Sequence, residues 1–145
     1  MIRVDQAGEY GATRIYAGQL AVMGDRGPHS AEIRAMAEQE AGHLAKFNAL
    51  VARRGTRPTA LQPVWSAAGY ALGAASGPIS AVACTAAVED EIDRHYTRQL
   101  DELERDGDDP ELATMIADFR EDERAHRDAA IRLGCRAAIR LSERI

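Results

Sequence analysis

The chain is poor in cysteine and in basic charge, and each shortage excludes a class of protein. It has two cysteines, Cys84 and Cys135, whose separation fits neither a disulfide framework nor a cysteine metal site. We expect both to be buried as small apolar residues in a protein of a reducing compartment. The formal charge of −5 leaves no basic stripe to offset phosphate repulsion, so nucleic acid is excluded as a partner.

Two further absences concern targeting and β-structure. No secretory signal is recognisable, because the N-terminus enters a helical pattern at once. No run alternates apolar and polar residues between hairpin turns, so β-strands are not expected. A length of 145 residues suits one domain with a sizeable core. The sequence therefore predicts a single all-α domain over residues 1–145.

Apolar periodicity, glycines and prolines predict four long helices and an extra short one. The expected helices are 3–23, 30–54, 79–105, 110–133 and a short last helix over 135–145. The expected N-caps are Ser30 and Asp109, and the expected stops are Gly55 and Gly134. Glycines at 8 and 11 weaken the first helix, so we expect them to allow close backbone packing or contact with a ligand.

Charged residues are absent from 58 to 88, and Gly77-Pro78 is expected to divide this run. Three interpretations stay open: a membrane-spanning helix, a wholly buried core segment, and an apolar surface seated on a membrane. The many Ala, Gly, Ser and Thr residues and the proline disfavour a spanning helix. We favour the membrane-seated surface.

A Glu-x-x-His motif occurs twice, at residues 40–43 and 123–126. Residues three apart are neighbours on a helix surface, so each motif directs one carboxylate and one imidazole to the same point. Glu9 precedes the first motif by 31 residues, and Glu89 precedes the second by 34. This is the ligand set of ferritin-like di-iron bundles. The expected metal ligands are Glu9, Glu40, His43, Glu89, Glu123 and His126.

Four carboxylates in a helical core require compensating charge, which two divalent ions would supply. Oxygen-rich ligands with one histidine for each metal suit iron or manganese and not structural zinc. The alternatives are an iron-binding, iron-storage or peroxidase protein with the same ligands, and a metal-free bundle whose glutamates face water. We predict a ferritin-like four-helix bundle, with additional short helices, that binds two iron ions.

Three further side chains are candidates for catalysis. Tyr16 and Tyr96 each follow a ligand glutamate by seven residues and share its helix face. The alternative is that both are ordinary core residues. His95 lies off that face and is a candidate only for the border of a substrate channel. Three aspartates near the ligands could accept the second ring N–H of a ligating histidine or be solvated and capping: Asp5, Asp93 and Asp122.

Five stretches resemble the demethoxyubiquinone hydroxylases, and together they extend over nearly the whole chain. They are RVDQAGEYGATRIYAGQ at 3–19, EAGHLAKFN at 40–48, RPT at 57–59, ACTAAVE at 83–89 and GCRAAIRLSER at 134–144. The resemblance implies a ferritin-like di-iron monooxygenase of ubiquinone biosynthesis. Such an enzyme inserts one oxygen atom from O₂ into the ring of a polyprenyl benzoquinol and makes the 5-hydroxy product. The family's metal ligands match the six residues named above.

The resemblance also implies an electron source, a location and assemblies. NADH is the expected electron source, although the sequence has no nucleotide-binding glycine loop. Family members associate peripherally with the inner membrane, on its cytoplasmic face in a bacterium and on its matrix side in mitochondria. A homo-oligomer or a complex of ubiquinone-biosynthesis proteins would be compatible with this resemblance.

Overall fold

The computed structural model describes residues 1–27, 29–107 and 109–142, and these residues form four helices without a strand. The helices are α1 (Ile2–Met23), α2 (Ser30–Arg53), α3 (Gln62–Asp106) and α4 (Pro110–Ser142). The prediction of an all-α, ferritin-like fold is confirmed. Residues 143–145, where the predicted last helix and the last family motif end, lie outside the described residues, as does the side chain of Cys135. Cys84 is a half-buried free cysteine.

Three of the four predicted helix boundaries agree with the structure in part or in full. The carboxylate of Asp109 accepts a hydrogen bond from the Leu112 N–H at 3.1 Å, so Asp109 caps α4 as predicted. Gly55 follows the end of α2 with a φ of 61°, the left-handed conformation typical of a helix stop. Ser30 is instead the first residue of α2, after His29 at the N-cap position, and its hydroxyl donates to the Gly24 carbonyl at 2.7 Å.

The predicted breaks at Gly77-Pro78 and at Gly134 are wrong. Helix α3 continues through Gly77 and Pro78, and α4 continues through Gly134, so residues from Cys135 extend α4 and do not begin a separate helix. A proline inside a helix costs about 3 kcal/mol because it lacks an N–H and crowds the preceding turn. Helix α3 packs closely on α1 at Gly73 before the proline and is buried at Val82 after it, and we infer that these contacts outweigh the local preference.

The chain forms two compact units, Met1–Ala81 (the N-terminal unit) and Val82–Ile145 (the C-terminal unit). In the N-terminal unit α1 packs on α2 over a core that includes Ile15, Ile33, Phe47 and Leu50. The buried residues of α2 recur at the three- and four-residue spacing expected of a helix that buries one face: Ile33, Met36, Glu40, His43, Phe47 and Leu50. A single domain over residues 1–145 stays a prediction.

Glycines bring the backbones of α1 and α3 together in the N-terminal unit, but they are not the glycines predicted for this role. A Cβ atom at Gly18 would lie 2.7 Å from the Ala74 nitrogen, and one at Gly73 would lie 3.0 Å from the Gln19 nitrogen. At Gly8 and Gly11 a Cβ atom would meet nothing within 4 Å. Close backbone packing therefore does not require a glycine at these two positions, and the alternative of contact with a ligand stays a prediction.

In the C-terminal unit α3 and α4 pack through a small apolar cluster and through ion pairs. Val82, Ala130 and Leu133 are buried together. Asp93 on α3 accepts a hydrogen bond from Arg124 Nε at 2.9 Å and forms a longer contact of 3.4 Å with Arg127 Nη1. We call these three residues the Asp93 cluster.

No helix in the described part of the chain is long and apolar enough to cross a membrane. The uncharged run is also not a wholly buried core segment, since Leu61, Val64, Trp65 and Leu72 are each at least half exposed. The start of α3 therefore presents large apolar side chains on its surface. This agrees with the apolar surface that the sequence favoured, whereas its contact with a membrane stays a prediction.

Candidate metal centre

The N-terminal unit contains a buried triad of Glu9, Glu40 and His43, which we call the N-terminal triad. Each residue is at most 3 % exposed. Each offers one oxygen or nitrogen atom, and these atoms lie within 4.8 Å of one another. Nδ1 of His43 lies 3.8 Å from Oε2 of Glu9 and 3.8 Å from Oε2 of Glu40. The packing of α1 on α2 thus brings Glu9 to the Glu-x-x-His motif, 31 residues away in sequence.

The C-terminal unit contains a matching triad of Glu89, Glu123 and His126, the C-terminal triad. Its residues are at most 5 % exposed, and their offered atoms also lie within 4.8 Å of one another. Nδ1 of His126 lies 3.9 Å from Oε1 of Glu89 and 3.6 Å from Oε2 of Glu123. Helix α3 supplies the first glutamate and α4 supplies the motif. Each unit therefore repeats the same three groups with nearly the same distances.

The distances within each triad fit metal binding better than hydrogen bonding. A hydrogen bond between a ring nitrogen and a carboxylate oxygen needs about 2.7–3.2 Å, which is shorter than the observed separations. Two ligands of one ion, each about 2.1 Å from it, lie about 3.0 Å apart at a right angle and at most about 4.2 Å apart. The observed separations of 3.6–3.9 Å fall within that interval.

The donor atoms also fit a divalent ion in their charge. Each triad buries two carboxylates, and the free-energy cost of removing two negative charges from water is large unless positive charge lies beside them. One divalent cation at each triad would balance the two carboxylates. One nitrogen with several carboxylate oxygens suits Fe(II) or Mn(II), which accept oxygen-rich coordination, better than it suits structural zinc.

The three candidates for catalysis lie beside the triads in sequence, and their role stays a prediction. Tyr16 is buried, and its hydroxyl lies 3.8 Å from the sulfur of Met36. Tyr96 is equally buried, and its ring centre lies 5.9 Å from that of the half-buried His95. Both tyrosines are thus as buried as core residues. A position beside a buried metal would bury them equally.

Asp93 does not have the role suggested for it as an acceptor of a histidine N–H. Its two carboxylate oxygens are occupied by Arg124 and Arg127, which directly follow the ligands Glu123 and His126 in sequence. The Asp93 cluster therefore fixes the register of α3 against α4 one turn from Glu89. Asp5 is buried and Asp122 is half-buried, and the proposal that either orients a histidine stays a prediction.

Several buried polar residues were missed by the sequence analysis. Gln6 is almost fully buried, and its amide donates to the Asn48 side chain at 3.0 Å, which ties α1 to α2 next to the N-terminal triad. Thr85 and Gln99 are equally buried on α3. The available signal was helical spacing, since Gln6 lies three residues before Glu9 and Thr85 lies four before Glu89.

Comparison with known proteins gives consistent matches over the whole chain. Residues 1–143 match the family described as ubiquinone biosynthesis protein COQ7. The 3-demethoxyubiquinol 3-hydroxylase of Rhodospirillum rubrum is 46 % identical over 165 residues, covering 99 % of this chain and 76 % of that protein.

Two eukaryotic relatives give similar values. The human mitochondrial NADPH-dependent 3-demethoxyubiquinone 3-hydroxylase is 44 % identical and covers 100 % of this chain and 76 % of its own length. The mitochondrial 5-demethoxyubiquinone hydroxylase of Saccharomyces cerevisiae is 43 % identical over 91 % of this chain and 64 % of its own length.

Proposed function

Because the chain belongs to the family of the ubiquinone biosynthesis protein COQ7, we propose that it is a di-iron monooxygenase that hydroxylates a ubiquinone precursor. The substrate would be a polyprenyl benzoquinol that carries a methyl and a methoxy group and lacks one ring substituent. Relatives are named as 3-hydroxylases or as a 5-demethoxyubiquinone hydroxylase, so the names number the modified position differently. The proposal keeps the 5-position that the sequence analysis predicted.

The observation that carries the proposal is the pair of buried triads. Glu9, Glu40 and His43 would hold one iron ion, and Glu89, Glu123 and His126 would hold a second, which is the ligand set of ferritin-like di-iron proteins. Iron bound there would supply the activation of O₂ that ring hydroxylation requires.

The protein residues themselves would hold the ions in place and keep water away. All six ligands are buried, and helices fix each Glu-x-x-His pair at a spacing that does not depend on the metal. Tyr16, Tyr96 and His95 are proposed to position the quinol ring or to move a proton during the reaction. Both tyrosines are buried, His95 is half-buried, and all three lie close in sequence to the ligands, which supports this role.

The electron source needs one revision. The sequence analysis expected NADH, whereas several relatives are named as NADPH-dependent. We therefore propose a reduced nicotinamide as the source and expect NADPH to be used. Peripheral association with the inner membrane also belongs to the proposal, and the exposed apolar side chains at the start of α3 support it. The mitochondrial names of eukaryotic relatives support a mitochondrial location for eukaryotic members.

The experiment combines iron loading with turnover. The protein is loaded with Fe(II) without oxygen, and the bound iron is counted. A short-chain demethoxyquinol, NADPH and O₂ are then added, and the quinone products are separated and weighed by mass spectrometry. We expect two irons per chain, a product heavier by one oxygen atom, and label from ¹⁸O₂ in that product.

Glu123→Ala should abolish the product and reduce bound iron, whereas Glu121→Ala, an exposed glutamate two residues earlier on α4, should change neither. Mössbauer spectra of the loaded protein should show two magnetically coupled irons. Two bound irons with peroxide consumption and no hydroxylated quinone would instead support the rival function, a ferritin-like iron-binding or peroxidase protein.

A further inference from the structure

Arg14 on α1 has no carboxylate partner among the described residues. Its guanidinium carbon lies 5.3 Å from the centre of the Tyr70 ring, which is a cation–π contact. Its Nε is buried and has no hydrogen-bond acceptor. A guanidinium carries five N–H donors in a planar fork, and a contact with the face of a ring uses none of them. The Tyr70 ring thus holds Arg14 in place, and the N–H donors of Arg14 remain unused.

Arg14 lines a surface pocket of about 640 Å³ in the N-terminal unit. The same pocket is lined by residues that carry hydroxyl groups, and none of the described residues that line it is acidic. The polar lining residues are Tyr10, Arg14, Thr59, Gln62, Ser66 and Tyr70. One guanidinium with several neutral donors is the chemistry that recognises a phosphate group, because an arginine can donate two parallel hydrogen bonds to it.

The side chains beside this pocket are large, apolar and exposed. Leu61, Val64 and Trp65 are 58 %, 62 % and 53 % exposed, and they alternate in sequence with the lining residues Gln62 and Ser66. An inorganic phosphate has no contact to make with such side chains. A phospholipid has both parts that match, since its phosphate lies at the level where tryptophan rings settle in a bilayer and its acyl chains lie just below.

We propose that the pocket around Arg14 binds the phosphate of an anionic phospholipid while Leu61, Val64 and Trp65 enter the bilayer surface. The proposal rests on the membrane association in the proposed function and adds the headgroup class and the residue that recognises it. The formal charge of −5 makes anionic and neutral vesicles a useful comparison. Without a dedicated site, a negatively charged protein should bind anionic vesicles less well than neutral ones. With the site, we expect tighter binding to anionic vesicles than to neutral ones, because the phosphate of phosphatidylcholine is neutralised by its own choline cation and that of phosphatidylglycerol is not.

Vesicle binding by the iron-loaded protein tests this inference without requiring turnover. Trp65 is the only tryptophan, so its emission reports directly on the side chains beside the pocket. The protein is titrated with vesicles of phosphatidylcholine alone and with vesicles in which one quarter of the lipid is phosphatidylglycerol, at physiological salt. We expect a blue shift of Trp65 emission and a binding constant about fivefold higher on the anionic vesicles, since a basic residue at such a surface contributes about 1 kcal/mol.

Arg14→Gln should remove this preference and bring the two binding constants together. Arg14→Lys keeps the charge without the planar fork and should retain part of it. The matched control is Arg34→Gln, which changes the net charge equally at an exposed arginine paired with Asp25. Far-UV circular dichroism of each variant establishes that it is folded.

The inference is overturned if phosphatidylglycerol weakens binding of the unmodified protein, or if Arg14→Gln and Arg34→Gln behave alike. Competition by millimolar inorganic phosphate with no response to vesicles would assign the pocket to a soluble phosphate and overturn the lipid assignment. The hydroxylase proposal is judged separately, because its failure would appear as missing product in a protein that still binds vesicles normally.

Discussion

Replacing Glu40 by glutamine should have opposite effects on the metal-free and the metal-loaded protein. Glu40 is fully buried, and its ligand oxygen lies within 4.8 Å of that of Glu9. At an effective dielectric constant of about 20, two charges at that distance repel by about 3.5 kcal/mol. Glu40→Gln removes this repulsion and the cost of burying one charge. It adds a buried amide, which costs about 1–3 kcal/mol if its hydrogen bonds are not satisfied.

The net change in the metal-free protein should be an increase of about 2 kcal/mol in the free energy of unfolding. For a chain of this size, such a change raises the melting temperature by about 4–8 °C. The metal-loaded proteins should differ in the other direction. A ligand at a hundred times its dissociation constant stabilises the unmodified protein by about 2.7 kcal/mol, and Glu40→Gln should lose most of that gain.

Calorimetric melts in EDTA and in anaerobic Fe(II) or in Mn(II) measure both effects in one series. The matched control is Glu38→Gln, an exposed glutamate on the same helix, which should respond to metal as the unmodified protein does. The reasoning is refuted if Glu40→Gln melts below the unmodified protein in EDTA and still gains full stability from metal. In that case Glu40 would act as an ordinary hydrogen-bonded core residue and not as a ligand held for an ion.

Three further predictions concern packing, the Asp93 cluster and catalysis. Gly73→Ala should lower the free energy of unfolding by about 1–3 kcal/mol in urea melts, because its Cβ would press on the α1 backbone. Gly8→Ala should instead raise the free energy of unfolding by up to about 1 kcal/mol. Equal effects of the two substitutions would contradict the glycine contacts. A double-mutant cycle on Asp93→Asn and Arg124→Gln should give a coupling energy of about 0.5–1 kcal/mol, since the pair is only partly buried, and zero coupling would contradict its role. Tyr96→Phe should reduce hydroxylation at least about tenfold with iron content unchanged, and normal turnover would assign Tyr96 to the core.

The sequence was sufficient for the residues of both triads because their signal is local and repeated. Three-residue spacing places Glu40 beside His43, and Glu123 beside His126, on any regular helix. Glu9 and Glu89 lie far before their motifs in sequence, which predicted that each of them comes from a neighbouring helix. In each unit this glutamate lies beside the Glu-x-x-His motif. Helix caps with a side-chain or backbone signature, at Asp109 and Gly55, were predictable for the same local reason.

The wrong predictions concern helix ends and glycine contacts, which depend on tertiary packing. Gly134 and Gly77-Pro78 look like helix ends in isolation, but α4 and α3 continue through them. Glycines 8 and 11 looked like contact points, yet the close contacts use Gly18 and Gly73, whose partners come from a distant helix. Helix propensity depends on the residue type alone, so it could not predict which neighbouring helix each of these residues would contact.

The difference in length between this chain and a relative indicates which sequence separations the two triads depend on. The Rhodospirillum rubrum match extends over 165 residues and this chain has 145, so about 20 residues of that protein have no counterpart here. Both triads are nevertheless complete and close, which means that the absent residues supply neither of them. A ligand set carried by helices tolerates such a loss because a Glu-x-x-His pair keeps its geometry within one helical turn. Register between helices is then fixed by pairs such as Asp93 with Arg124, 31 residues apart, and by Gln6 with Asn48, 42 residues apart. We therefore expect iron content to respond more to changes in these helix-to-helix contacts than to changes in the length of the segments that join the helices.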